Sequence, residues 1–165
     1  MESVYDNSAQ ARANFGSKRT ASRRYFCAPK AVASLPASLT GPAVLDDWGN
    51  RFTSLGASIP ENALRTQIRT TIAQLAMFDA VNAILDGPYH AFASKPPSPY
   101  GASAEAAAIR AAYIVARNEF PTKTATVDSA YNASIAVVPA TPGAIADGIL
   151  VGEAAANAVL AVRVG

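Results

Sequence analysis

The sequence predicts an all-α protein, about five helices in a helical bundle, and three observations carry that reading. Apolar residues recur at helical spacing through several long stretches. The prolines fall between those stretches rather than inside them. No segment shows the strict apolar–polar alternation of a half-buried strand.

Residues 1–42 are rich in Ala, Ser, Arg and Pro and lack sustained periodicity. Lys18, Arg19, Arg23 and Arg24 precede a weak apolar stretch, Ala31 to Leu39, which Pro36 breaks. That apolar core is too short for a good export signal. The segment is expected to be a disordered basic leader or a degenerate export signal. An Arg- and Ser-rich presequence and a mis-set start codon are the other readings. The helical domain is expected over residues 43–165.

The first helix is expected from about Val44 to Leu55, ending at Gly56, with Leu45, Trp48 and Phe52 on one side. Pro60 suits the first helical position and Ser58 a nearby cap, opening a long second helix to about Leu85. The end of that helix is the most informative stretch of the chain. Over Ile72 to Leu85 it is apolar nearly all round, save for a narrow stripe holding Asp79 and Asn82. Such a helix must be enclosed, so both polar side chains need hydrogen-bond partners inside packed protein. Arg65 and Arg69, one turn apart on its first half, read as a solvated face or a salt bridge before an anion site.

From Asp86 to Gly101 the chain reads as a loop, stiffened by Pro88, Pro96, Pro97 and Pro99. It serves as a fixed surface connection or, less commonly, as a proline-rich ligand. Ser103 caps a third helix to about Glu119, with Glu105 in its first turn. Ile109, Ala112, Tyr113 and Ala116 make its inner face, and Arg110 and Arg117 are expected outside. Phe120-Pro121 breaks it. A fourth helix carries Val127, Tyr131, Ile135 and Val138 and ends at Pro139. Thr141 and Pro142 start a fifth, with Ile145, Ile149, Gly152, Ala156, Val159 and Leu160 inward. Gly148 and Gly152 on one face of it imply close approach of a neighbouring helix.

Half of the residues are hydrophobic, and Ala dominates them, so the core should be thin for its length. Net charge is +2, unevenly spread: residues 1–40 hold six Lys/Arg against Glu2 and Asp6. The remainder is mildly acidic and offers no nucleic-acid surface. The single cysteine, Cys27, excludes an intrachain disulfide and reads as a free thiol. No transmembrane span is expected. The best candidate, Gly143 to Val164, carries Asp147, Glu153 and Asn157.

LAMFDAVNAI, then Pro88-Tyr89, then GASAEAAAIRAAYIV, NEFPTKTATVDSAYNASIA and ADGILVGEAAANAVLAVR, taken as an ordered series, resemble the N-terminal helical half of bacterial vanadium-dependent haloperoxidase relatives. Those belong to the type-2 phosphatidic acid phosphatase superfamily. The resemblance covers roughly Leu64 to Arg163 and none of residues 1 to about 45. It implies an incomplete half of a larger all-helical domain, and export to the periplasm or the outside, although relatives begin with a clearer export signal than this chain has.

The family binds vanadate or phosphate through its C-terminal half. Its pattern is a Lys and an Arg-Pro six residues apart, then Pro-Ser-Gly-His, then a Ser-Arg leading to a His and an Asp. This chain departs from that pattern throughout. Seven residues after Lys18, Lys30, Lys95 and Lys123 come Tyr25, Ala37, Ala102 and Ala130. Ser-Gly-His is absent, no histidine follows Ser22-Arg23 at the needed distance, and His90 is the sole histidine. His90 reads as a surface or hydrogen-bonded structural residue, and Asp46-Asp47 as first-turn charge. No catalytic, cofactor-binding or metal-binding residue is therefore assigned, and vanadate or phosphate would be expected only with a C-terminal half.

The expected function is the N-terminal helical part of a haloperoxidase-like or phosphatase-like protein, inactive alone, whose partners are that missing half or a second copy through apolar helix faces. The alternative is a self-sufficient, non-catalytic helical interaction module. A nucleic-acid or membrane-surface binder using the basic leader is the remote third.

Overall fold

The computed structural model of the chain describes residues 41–60 and 62–163, so expectations placed on residues 1–40, Cys27 included, lie outside them. Among the described residues are α1 (Gly41–Ala57), α2 (Ala63–Ile84), α3 (Ala104–Glu119), a 3₁₀ turn (Pro121–Lys123), α4 (Thr124–Ala136) and α5 (Pro142–Val162). The architecture is an all-α bundle without strands among those residues. Helix begins at Gly41, two residues before the expected domain start.

Local chemistry explains most boundaries. Ser103 Oγ accepts the Ala106 N–H at 3.1 Å and Thr141 Oγ1 accepts the Ala144 N–H at 3.3 Å, each satisfying a donor that the first turn leaves free. Pro142 follows Thr141 where a missing N–H costs nothing. Several boundaries differ from expectation: α1 starts at Gly41 rather than near Val44, and α4 ends at Ala136, short of Val138 and Pro139. Helix α1 runs through Gly56 to Ala57, and a Cβ on that glycine would overlap the Thr66 side chain, so α1 and α2 approach closely there. Helix α2 is capped by Asn62, whose Oδ1 accepts the Arg65 N–H at 2.9 Å. Ser58 instead donates to the Leu55 carbonyl at 2.7 Å and closes the turn after α1, with Pro60 in the connection.

Helix α3 is the hub and packs against all four other helices. Its buried face is almost all alanine, from Ala104 through Ala116, with Ile109 and Val115. Small side chains let neighbouring backbones come close, and α5 exploits this. A Cβ on Gly148 would overlap the Ser103 carbonyl oxygen, and one on Gly152 the Ala107 carbonyl oxygen. Larger side chains fill the other end: Trp48, Phe52, Phe120 and Met77 are fully buried. Phe52 and Phe120 meet edge to face with ring centroids 5.6 Å apart. Each such side chain contributes roughly 1.5–3 kcal/mol of apolar burial.

Several faces are rotated from expectation. Leu45 is exposed, and Val44 and Leu55 join Trp48 and Phe52 in the core. Helix α2 is buried along one side of its second half and not all round, since Phe78 and Leu85 as well as Ile68 are open to solvent. Ile145, Ile149 and Leu160 of α5 are half-buried, and Gly148, Val151 and Ala155 join Gly152, Ala156 and Val159 on its packed face. Arg110 is not outside. It is half-buried and pairs with Glu153 of α5 at 2.6 Å.

Candidate functional site

The polar stripe of α2 anchors the loop that follows it. Asp79 is fully buried, and its carboxylate accepts the main-chain N–H groups of Phe92, Ala93 and Ser94 at 2.7, 2.8 and 3.3 Å. Those donors satisfy carboxyl oxygens that burial would otherwise leave unpaired. One turn on, Asn82 Nδ2 donates to the Tyr89 carbonyl at 2.9 Å, while its Oδ1 is buried and unpartnered. Gly87 backs onto that amide, where a Cβ would overlap Asn82 Oδ1. Asp86, at φ 46°, adopts the left-handed conformation that ends many helices, and it holds Lys95 Nζ at 2.7 Å. The arrangement spends the Asp79 carboxylate on the chain's own backbone. His90 is exposed on the same loop.

The arginines form ion pairs that join helices. Glu119 at the end of α3 accepts from Arg69 of α2 at 3.1 Å and from Arg163 just after α5. Arg69 also lies 4.8 Å from the Phe120 ring centroid, where the cation meets the face of the aromatic. Arg69 is therefore a salt-bridge residue, one of the readings its spacing allowed. The stacked rings of Tyr113 and Tyr131, 4.3 Å apart, carry Arg110 across both faces. Arg117 pairs with Asp128 at 2.8 Å, and Asp47 with Arg51 at 2.8 Å. Hydrogen bonding to Asp128 raises Arg117 above the usual arginine range. Among the described residues no three His, Cys, Asp or Glu side chains gather as a metal site would need.

Two of the open surfaces among the described residues bear on function. On α5, Ala146, Leu150, Ala154, Asn157 and Ala161 share the side opposite Gly148 and Gly152 and are exposed, Leu150 by 66%. By length and composition alone this helix is apolar enough to cross a membrane, with 33% of its most apolar stretch buried, so the expected absence of a span is not confirmed. The charges at Asp147 and Glu153 do not offset the surrounding Ala, Ile, Leu and Val. The second surface is a groove of about 860 Å³ between α1 and the 3₁₀–α4 segment. Trp48, Leu55 and Val127 form its apolar floor, with Asp47, Arg51, Lys123 and Thr126 around it.

Comparison of the chain with known families, with curated proteins and with solved structures yielded no match.

Of the residues singled out beforehand, Asp79 and Asn82 come together on one loop, while Arg65, Arg69, His90 and Asp46-Asp47 do not converge on a shared site. The groove escaped sequence reasoning because its walls come from α1 and α4, far apart along the chain, and neither half is a motif. The one signal available was Lys123 beside Phe120-Pro121, at a helix break.

Proposed function

We propose that this chain is a non-catalytic helical part of a haloperoxidase-like or phosphatase-like protein, and that it works by receiving further helices against the open face of α5. One observation carries the reading. An apolar helix packed tightly on one side presents Leu150 and a run of small residues on the other, a surface suited to a second helical layer. The chemistry agrees with this division of labour. A multiply charged oxyanion needs several convergent cations, and here Arg51, Arg69, Arg110, Arg117 and Arg163 each face a carboxylate of the same chain. The sole histidine is exposed on a loop. The oxyanion-binding groups would come from the partner layer.

In this reading α5 stays within protein rather than lipid. Gly148 and Gly152 rest on the α3 backbone, and Glu153 is held by Arg110. The test is the purified chain alone. It should bind an environment-sensitive apolar dye and self-associate in sedimentation. It should turn over neither halide with vanadate and peroxide nor a phosphomonoester. Leu150→Glu should suppress dye binding and association while leaving the unfolding midpoint within about 0.5 kcal/mol. A dye-silent monomer, or turnover above a denatured control, would overturn the proposal.

A further inference from the structure

The α1–α4 groove has features that the α5 face lacks. Trp48 lines it at 1% exposure, and its indole Nε1–H is buried without an acceptor. Around the floor of Trp48, Leu55 and Val127, the charges are unequal. Asp47 and Arg51 neutralise each other at 2.8 Å, but the Lys123 ammonium has no carboxylate partner among the described residues. The result is a groove with an apolar floor and one cation near the helix break that no carboxylate of the described residues meets. Its volume of about 860 Å³ falls in the range of small-molecule sites.

We infer that this groove binds an amphipathic carboxylate, with its hydrocarbon body on Trp48, Leu55 and Val127 and its headgroup at Lys123. The chemistry selects the class. An apolar body replaces water over the floor. An anionic oxygen pairs with the lone ammonium, where a cationic headgroup would be repelled.

Trp48 is the sole tryptophan of the chain, so its emission reports occupancy of this groove and not of the α5 face. Decanoate, titrated below its micelle threshold into the full chain, should change that emission saturably. Decyltrimethylammonium of the same chain length should not. Lys123→Met, which keeps the apolar stem and loses the charge, should weaken decanoate about tenfold. Thr126→Glu, an exposed change at the rim, should weaken it likewise by repulsion. Both variants should keep the parent circular dichroism, and Leu150→Glu should leave the decanoate response intact. The inference is overturned if decanoate gives no saturable response, if the cationic amphiphile responds equally, or if both rim variants bind like the parent. None of these outcomes bears on the role assigned to α5.

Discussion

Asp79 Oδ2 accepts the Ala93 main-chain N–H at 2.8 Å across fourteen positions of sequence, fastening the proline-rich loop to the buried end of α2. The same carboxylate serves Phe92 and Ser94, so one side chain satisfies successive amides of a segment that has no helix or strand of its own. The loop is therefore held by side-chain chemistry rather than by secondary structure.

Replacing Asp79 tests that dependence. Asp79→Ala removes the acceptor and leaves the loop amides unpaired next to the core, which should lower stability by about 3 kcal/mol. The measurement is the urea midpoint, with the slope unchanged. Limited proteolysis should then cut within residues 87–95 of the variant before any helix. A loss below about 1 kcal/mol would mean that those amides find other partners.

Two glycines of α5 should respond to the same substitution with opposite signs. Gly143 has open space around a would-be Cβ, so Gly143→Ala should gain up to about 1 kcal/mol from helix propensity alone. Gly148 faces the Ser103 carbonyl oxygen, a backbone atom that cannot rotate away. Gly148→Ala should lose about 1–3 kcal/mol, since forcing the helices apart outweighs the propensity gain. Thermal unfolding of the pair decides it. Equal midpoints would remove the argument for close α3–α5 packing.

Asp128 should make part of the stability depend on acid. The Arg117 guanidinium hydrogen-bonded to it holds its carboxyl below the usual value of 3.8; burial opposes this, and the Tyr113 hydroxyl adds to it. A carboxyl with a lowered folded-state pKa stabilises the fold above its unfolded pKa and loses that contribution as pH falls through the folded value. Asp128→Asn should thus be less stable than the parent at neutral pH, with the gap closing as pH drops below about 3.8. Melting curves across that range should converge on the acid side. A constant gap would assign the effect to packing against Tyr113.

Much of the fold was legible because its signals are local. The caps at Ser103 and Thr141 depend on a side-chain oxygen and an amide three residues later, and the break at Pro121 on ring geometry, whereas α4 stops at Ala136, ahead of the expected end at Pro139. The cap of α2 was misplaced for the same reason. Ser58, Pro60 and Asn62 all offer boundary chemistry within one turn, and only the backbone path chooses Asn62. The candidate site was less legible still. Burial at Asp79 required a partner, but three consecutive loop amides carry no residue signature. Arg110 looked like a surface residue until α5 brought Glu153 to it.

The amino-acid order alone determined that the chain is helical, where its later helices start, and that it holds a single histidine. These follow from spacing and residue type, which act within a few residues. The tertiary structure decided which side of α5 stays open, which arginine meets which carboxylate, and that Trp48 and Lys123 share a groove. Those outcomes depend on helices meeting across long sequence separations, where the contact of small faces such as Ala107 against Gly152 sets the geometry.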